Sequence, residues 1–478
     1  MNAENKKTKI GIVYPDSIKC GFFSVSLKLL YSTFINLSNT FVDFFFTDIK
    51  YFQRSLLHSL KASDFEILAF SIPDESLYLN VLKFLTINGI PLYSINRLYL
   101  KPLIFCGGVP IIANPFPIAP FMDFCVIGEI ESTLPHIINL YKEVKTKEEF
   151  YCRIIKMDWI VSFPYKMKAR RAFTENIMLP VSYFSFDKDK SPYPDILIVE
   201  VARGCKYKCP YCQLTRIFSP YREVELSALI NYIETFRKKD DCINKIYLIA
   251  PDAGQYSRID DLIDFLGKQK LSVITTSLRA DKITPSFAKI LSGTVRLGIE
   301  SGETMRRKLG KNFSDTDLIY ICRNLLENPD INKIELYFLV GLHENEEEGI
   351  INTVYKLIKN RVPPNKLKIN ISLFIPECHT PFEDVPMLEL SKAKKKIHCL
   401  YSNLLKLGVP VKMIKSVDGF YLTAIFSKGD ERLSKVLEVA YNYDLNWDEL
   451  TKWYRIAESV GVDMWETMEK RRWKCIKL

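Results

Sequence analysis

No run of eighteen apolar residues occurs in this chain of 478, so no membrane-spanning helix is expected. Met1-Asn2-Ala3-Glu4-Asn5-Lys6-Lys7 passes into the short apolar stretch Ile10–Tyr14 without the longer apolar core of a secretory leader. The twelve cysteines follow no dense paired spacing, which argues against a disulfide scaffold. Together these two absences predict a cytoplasmic protein in a reducing compartment. Histidine is scarce, at five residues, and no second CxxC or histidine pair follows the one tight cysteine cluster, which removes a four-ligand zinc knuckle. Strong net charge is also missing. A balance of +10 spread over this length is a mild pull toward anionic partners, and its densest clusters, Lys166 to Arg171 and Lys470 to Lys474, read as solvated faces. The 47 % hydrophobic and 13 % aromatic content excludes wholesale disorder and fills the cores of two or three domains.

What is present is organised around Arg203-Gly204-Cys205-Lys206-Tyr207-Lys208-Cys209-Pro210-Tyr211-Cys212. The apolar, β-branched run Ile196–Val201 leads into it and reads as a buried strand. A strand emptying into a tight loop brings three thiolates, Cys205, Cys209 and Cys212, toward one point. Thiolates are soft ligands suited to iron–sulfur clusters or zinc. Both usually take four protein ligands, so three would leave one iron open to a substrate or cofactor.

This CxxxCxxC spacing, with aromatic Tyr211 before the last cysteine, resembles the signature of the radical S-adenosylmethionine (radical SAM) superfamily. The resemblance implies a [4Fe-4S] cluster on the three cysteines. It also implies S-adenosylmethionine on the open iron, one-electron cleavage of the sulfonium, and hydrogen abstraction from substrate by the 5′-deoxyadenosyl radical. The protein's share is orientation and exclusion of competing reactions. An electron donor such as ferredoxin or flavodoxin is then a required partner.

Residues 1–150 alternate apolar strands with helical stretches: Ile10–Tyr14, Phe41–Phe46, Glu66–Ser71, Pro102–Cys106 and Phe124–Ile127 as strands, with a helix near Leu77–Ile87. That pattern predicts a flavodoxin-like parallel sheet with any ligand at the strands' carboxyl ends. The stretches Cys106-Gly107-Gly108-Val109-Pro110, Asn114-Pro115, Asp123 and Gly128-Glu129-Ile130-Glu131 resemble the cobalamin-binding-like domain ahead of many radical SAM cores. Gly107, Gly108, Gly128 and Glu129 then form the candidate cobalamin face. The cobalt-ligating DxHxxG motif is absent, so cobalamin stands here as a candidate cofactor, and a domain that only shapes the substrate cleft is the alternative. Residues 151–194, with four prolines and little periodicity, read as a linker.

From 195 to 376 six βα repeats follow, predicting an incomplete (β/α) barrel whose chemistry lies at the strands' carboxyl ends. The strand ends carry the remaining candidates. Asp252 and Gly254 follow the second strand, in a Pro-Asp-Ala-Gly that stands where the family has Gly-Gly-Glu and contacts the methionine amino group. Arg279 follows the third strand, either pairing with the methionine carboxylate or forming a surface salt bridge. Gly298-Ile299-Glu300-Ser301 matches the family's ribose-contacting motif, so Glu300 and Ser301 are assigned to the ribose hydroxyls. Val340-Gly341-Leu342-His343 resembles the adenine-contacting motif at Gly341, with His343 where the family often has proline.

Residues 377–478 read as a C-terminal extension. Glu377-Cys378-His379-Thr380-Pro381-Phe382 resembles a stretch that closes such cores. A helix is expected over Leu388–Lys406, a hairpin over Val409–Val417 and Phe420–Phe426 turning at Asp418-Gly419, and a helix over Leu433–Ala440. The predicted fold is α/β: a flavodoxin-like N-terminal domain, a partial (β/α)6 barrel and a small α+β C-terminal extension. The expected function is a radical SAM enzyme acting on an unknown substrate, with a cobalamin-dependent methyltransferase as one form. Nucleic acid and membrane lipid are candidate substrate classes. Two alternatives stay open. A methylthiotransferase-like tRNA-modifying enzyme needs a second cluster on Cys20, Cys106 and Cys125. An Fe–S electron-transfer or sensor protein would have no use for Glu300, Ser301 and Asp252.

Overall fold

Six strands, β1 (Thr8–Val13), β2 (Thr40–Phe45), β3 (Ile67–Ser71), β4 (Leu103–Gly107), β5 (Phe124–Val126) and β6 (Ile160–Val161), form one sheet in the order β2-β1-β3-β4-β5-β6. The computed structural model describes residues 7–48, 52–180 and 192–478. The first five strands are parallel and β6 joins antiparallel to β5. Their order is that of the flavodoxin-like doubly wound sheet. β3 is buried along its whole length, and helices such as Val25–Asn36 and Tyr78–Ile87 supply the cover. Such two-faced burial is why these strands read as apolar runs rather than alternations.

The barrel strands are β8 (Ile196–Glu200), β11 (Lys245–Ile249), β12 (Ser272–Thr275), β13 (Ser277–Leu278), β14 (Gly293–Glu300), β15 (Ile331–Val340) and β16 (Leu367–Leu373). Two short strands, β9 (Ala202–Arg203) and β10 (Arg222–Glu223), pair antiparallel beside the cysteine loop, and β7 (Ala169–Arg170) lies earlier in the chain. All the barrel pairs are parallel, in the orders β12-β11-β8 and β13-β14-β15-β16. The third strand is bent at Thr276, so that β12 pairs with β11 and β13 with β14. On β15 and β16 alternate residues (Ile334, Leu336, Phe338; Leu367, Ile369, Ile371) are at most 1 % exposed. The intervening side chains line the lumen.

The expected hairpin at 409–426 is corrected. Residues 411–413 form β17 (Val411–Met413), a seventh parallel strand beside β16, and Val417–Lys428 is a helix. Asp418-Gly419 does not turn; Gly419 donates to Ser416 Oγ, which opens the helix. Phe420–Phe426 is buried on every side, so its apolar run carried no period to separate helix from strand.

The chain divides into two compact units, Met1–Pro192 with Tyr421–Leu478, and Tyr193–Phe420. The residues read as one C-terminal extension are thus split between them. In the first unit Asn114 Nδ2 donates to Gly429 O at 2.8 Å, Tyr93 donates to Glu438 at 2.7 Å, and β18 (Ile476–Lys477) pairs with β7. The segment read as a linker likewise holds structure as far as residue 180, namely the helix Lys147–Ile154, β6 and β7; its remainder up to 191 lies outside the described residues.

Candidate active site

The cysteine loop leaves β8 through β9, which pairs with β10 across the loop's base. Glu200 and Arg203 lock that base with two parallel hydrogen bonds of 2.8 Å, both side chains under 10 % exposed. Gly204 then turns the chain at φ +80°. A Cβ there would lie 2.7 Å from Phe218 O and 2.8 Å from Pro220 O, so only glycine fits. Cys205, Cys209 and Cys212 are free and half-buried. Cys212 N donates to Cys209 O at 3.2 Å, making the last two ligands one turn. Gln255, which the sequence reading missed, braces the first: its Oε1 accepts from Lys206 N at 2.8 Å and its Nε2 lies 3.7 Å from Cys205 Sγ. It stands three residues after Asp252, at the same strand end.

Burial pushes the thiols of Cys205 and Cys212 up, the latter to about 11, and raises the Tyr211 hydroxyl too, with the charge of Glu300 adding to the effect. Glu300 thus lies within electrostatic reach of the loop. Asp252 and Arg279 reach it too: Asp252 raises Cys205, and the Arg279 guanidinium lies over the Tyr207 ring. The candidates from strands two, three and four therefore gather around the cysteines.

Each has a defined state. Asp252 is 3 % exposed; its Oδ1 caps the turn Ala253–Gln255 by accepting from Gly254 N at 3.2 Å, while its Oδ2 is buried with no partner. Burial lifts its carboxyl to about 6. The Arg279 guanidinium lies 4.0 Å from the centre of the Tyr207 ring and is held by Asp281 at 3.1 and 3.3 Å, with Nη1 buried and unpartnered. It is thus a mostly buried arginine of the cysteine-loop wall that also pairs with the partly exposed Asp281. Ser301, 1 % exposed, also has an unpartnered Oγ. Glu300 sits at φ +67°, and its Oε1 accepts from Lys311 Nζ at 2.5 Å. Gly254 is glycine for packing, since a Cβ would meet Lys282 Cβ at 2.9 Å. Gly341 N is taken by Glu346 Oε1 at 2.6 Å, and the same carboxylate accepts from Leu342 N and His343 N. Lys311 and Glu346 are further residues the sequence reading missed.

The donor set can be tested against the group it would hold. A single zinc at about 2.3 Å from each sulfur needs the sulfurs about 3.8 Å apart, whereas the three do not all lie within 4.8 Å of one another. That spread suits a multi-iron cluster, in which each thiolate binds its own iron. Two unpartnered buried polar atoms beside the loop, Asp252 Oδ2 and Arg279 Nη1, complement a small zwitterion, and a third, Ser301 Oγ, lies at the carboxyl end of β14.

Residues 199–354 match the family model described as the radical SAM superfamily, and residues 27–161 match the one described as radical SAM proteins, N-terminal. The chain belongs to the radical SAM superfamily of enzymes. An uncharacterised protein of Methanocaldococcus jannaschii is 26 % identical over 91 % of this chain and 91 % of its own length. The anaerobic magnesium-protoporphyrin IX monomethyl ester cyclase of Rubrivivax gelatinosus is 26 % identical over 40 % of this radical SAM chain and 34 % of its own. Among solved structures, the radical S-adenosylmethionine methyltransferase TsrM of Kitasatospora setae, determined with cobalamin and a [4Fe-4S] cluster bound, has the same fold. It superposes with a TM-score of 0.58 at 11 % identity, over 95 % of this chain and 99 % of that one.

In the first unit the glycines of the candidate cobalamin face have distinct reasons. At Gly108 (φ +130°) a Cβ would fall 1.9 Å from Ile72 O, and at Gly128 (φ +154°) 2.4 Å from Ala172 O, so both serve close backbone packing. Glu129 is 4 % exposed and bonded to Arg171 and to Thr174 N. Gly107 alone has room, with nothing nearer than 3.9 Å to its Cβ position at the carboxyl end of β4. His58 is tied to Asp43 at 3.0 Å. Cys106 and Cys125 lie side by side at 3.5 Å, both fully buried, while Cys20 is exposed on the helix Ile18–Phe22. No helix among the described residues is long and apolar enough to cross a membrane.

Proposed function

We propose that Cys205, Cys209 and Cys212 hold a [4Fe-4S] cluster and that the surrounding strand ends bind S-adenosylmethionine. When bound, this pair supplies reductive cleavage to a 5′-deoxyadenosyl radical that abstracts hydrogen from the substrate. The chain's own residues orient and shield. Asp252 Oδ2 accepts from the methionine ammonium, Arg279 Nη1 donates to its carboxylate, and Glu300 and Ser301 bond the ribose hydroxyls. Tyr211, half-buried within reach of Glu300 and Cys209, helps close the loop to water. Gly341, at φ +107°, ends β15 in a backbone conformation suited to glycine, its Cβ position in ordinary contact with Leu388 at 3.6 Å and Phe374 at 3.8 Å.

The observation that carries this reading is the set of buried, unpartnered Asp252 Oδ2 and Arg279 Nη1 beside three cysteines. A carboxylate oxygen and a guanidinium nitrogen left unpaired at two adjacent strand ends, whose residues touch through Arg279 N and Asp252 Oδ1 at 3.4 Å, match the two ends of an amino acid. The direct test is anaerobic reconstitution with iron and sulfide, followed by quantification of 5′-deoxyadenosine.

A second, finer reading is methyl transfer through cobalamin in the first unit. Its support is a fold shared over nearly the whole chain with a protein whose structure contains cobalamin. The open position at Gly107 makes Gly107→Trp the informative variant. It should abolish cobalt retention and spare the cluster, whereas Gly108→Trp would collide with the chain's own backbone.

A further inference from the structure

The barrel lumen carries a charged layer that the cysteine site does not use. Arg296 on β14 and Lys368 on β16 flank Glu335 on β15, at 3.5 and 2.6 Å. One carboxylate thus serves two cations, and the layer keeps one positive charge in excess. Solvent reaches it, since the Arg296 and Lys368 side chains are 35 % and 27 % exposed. Tyr337 leans on the same carboxylate, its hydroxyl donating to Glu335 Oε2 at 3.3 Å.

One row nearer the carboxyl ends, Gly298, Tyr337, Asn370 and Lys412 stand abreast on β14 to β17. The Lys311–Glu300 pair fills the space over Gly298, because a Cβ there would lie 2.7 Å from Lys311 Nζ and 2.9 Å from Glu300 Oε1. This row is therefore the one beside the proposed ribose contact. Within it Asn370 is 3 % exposed, and its Nδ2 has no partner. Asn370 shares its face with Lys368 and Ser372, away from the helix-packed Ile369 and Ile371. A buried amide donor left unmade is costly unless a ligand meets it.

We propose that the lumen between this layer and the cysteine loop holds the substrate by a carboxylate, which accepts from Asn370 Nδ2 under the excess positive charge of Arg296 and Lys368. The inference rests on the reading that chemistry takes place at these strand ends, and it assigns the substrate class: a small molecule with a free carboxylate. Asn370 thereby sets specificity.

The test uses the reconstituted holoprotein saturated with S-adenosylmethionine, so that Arg279 is already engaged. Acetate and its neutral counterpart acetamide are compared by saturation-transfer NMR. Acetate should bind and acetamide should not. Asn370→Asp, nearly the same shape but acidic, should weaken acetate at least about tenfold, as expected for losing a charge-assisted hydrogen bond and adding repulsion. Lys368→Met should weaken it too, and S-adenosylmethionine affinity should stay unchanged in both variants. Equal binding of the two probes, binding of neither, or full acetate affinity in Asn370→Asp overturns the proposal. So does a parallel loss of S-adenosylmethionine affinity in Asn370→Asp, which would move Asn370 into the cofactor site. Failure of the holoprotein to form 5′-deoxyadenosine would instead count against the proposed function, so the two failures are told apart.

Discussion

Glu300 does two things that a single substitution would confuse. It is the proposed ribose contact, and it is the partner of Lys311, whose side chain is only 6 % exposed. Removing one member of a buried pair strands the other and costs about 3 kcal/mol or more. Glu300→Gln is therefore expected to lower both thermal stability and S-adenosylmethionine affinity. Glu300→Gln with Lys311→Met should recover most of the stability and none of the affinity, which remains down about ten- to hundredfold for one lost charge-assisted hydrogen bond. Thermal melts and equilibrium binding on both variants separate the roles. Asp252 adds a pH signature. Its carboxyl is raised to about 6 chiefly by burial, so the folded state holds a proton that the unfolded state releases near the ordinary value of 3.8. Folding stability from this group falls as pH rises from about 4 to 6. Ligand affinity runs the other way, because the ammonium needs the ionised carboxylate. Affinity for S-adenosylmethionine should drop as pH goes from 7 to 5 in the wild type, and Asp252→Asn should be weaker throughout and flat over that range. Binding isotherms at several pH values decide it. The Lys311–Glu300 pair was not legible in the sequence: Lys311 lies beyond an intervening helix, and nothing in its own neighbourhood marks it as Glu300's partner.

At the scale of elements, the cysteine loop was readable because its three ligands fall within eight residues and a buried strand feeds them. The barrel was readable for a similar reason, since each repeat sets a short apolar strand against a helix of different period. The helix Val417–Lys428 was not, because it is buried all round from Gly419 onward and Asp-Gly suits both a turn and a first helical turn. β17 was obscured with it: three residues with no flanking period do not announce a parallel partner. The loop's weakest point is Gly204. Gly204→Ala combines a left-handed backbone with contacts under 3 Å to two carbonyl oxygens. It should cost about 2 kcal/mol or more in urea unfolding and reduce iron retained per chain. Wild-type iron content in that variant would show that the turn tolerates a side chain.

For the whole molecule, the order of residues along the chain does not match the order of its units. The last segment, Tyr421–Leu478, belongs with the first sheet, where Phe426 packs edge-on against Tyr78 and against Trp453. Contacts more than three hundred residues apart, such as Asn114 to Gly429, leave no local trace, which is why the C-terminal region read as one appendage. A chain ending at residue 420 should lose protection of the first unit in limited proteolysis while a fragment spanning about 193–420 persists. Loss of both together would contradict this division.

The most direct test of the account is a paired measurement on anaerobically reconstituted protein: iron per chain, and 5′-deoxyadenosine formed with S-adenosylmethionine and a low-potential reductant. The account predicts about four irons and measurable 5′-deoxyadenosine in the wild type, with both lost in Cys209→Ala while its circular dichroism stays that of the folded chain. Zinc in place of iron, or a full cluster with no cleavage of S-adenosylmethionine, would contradict it.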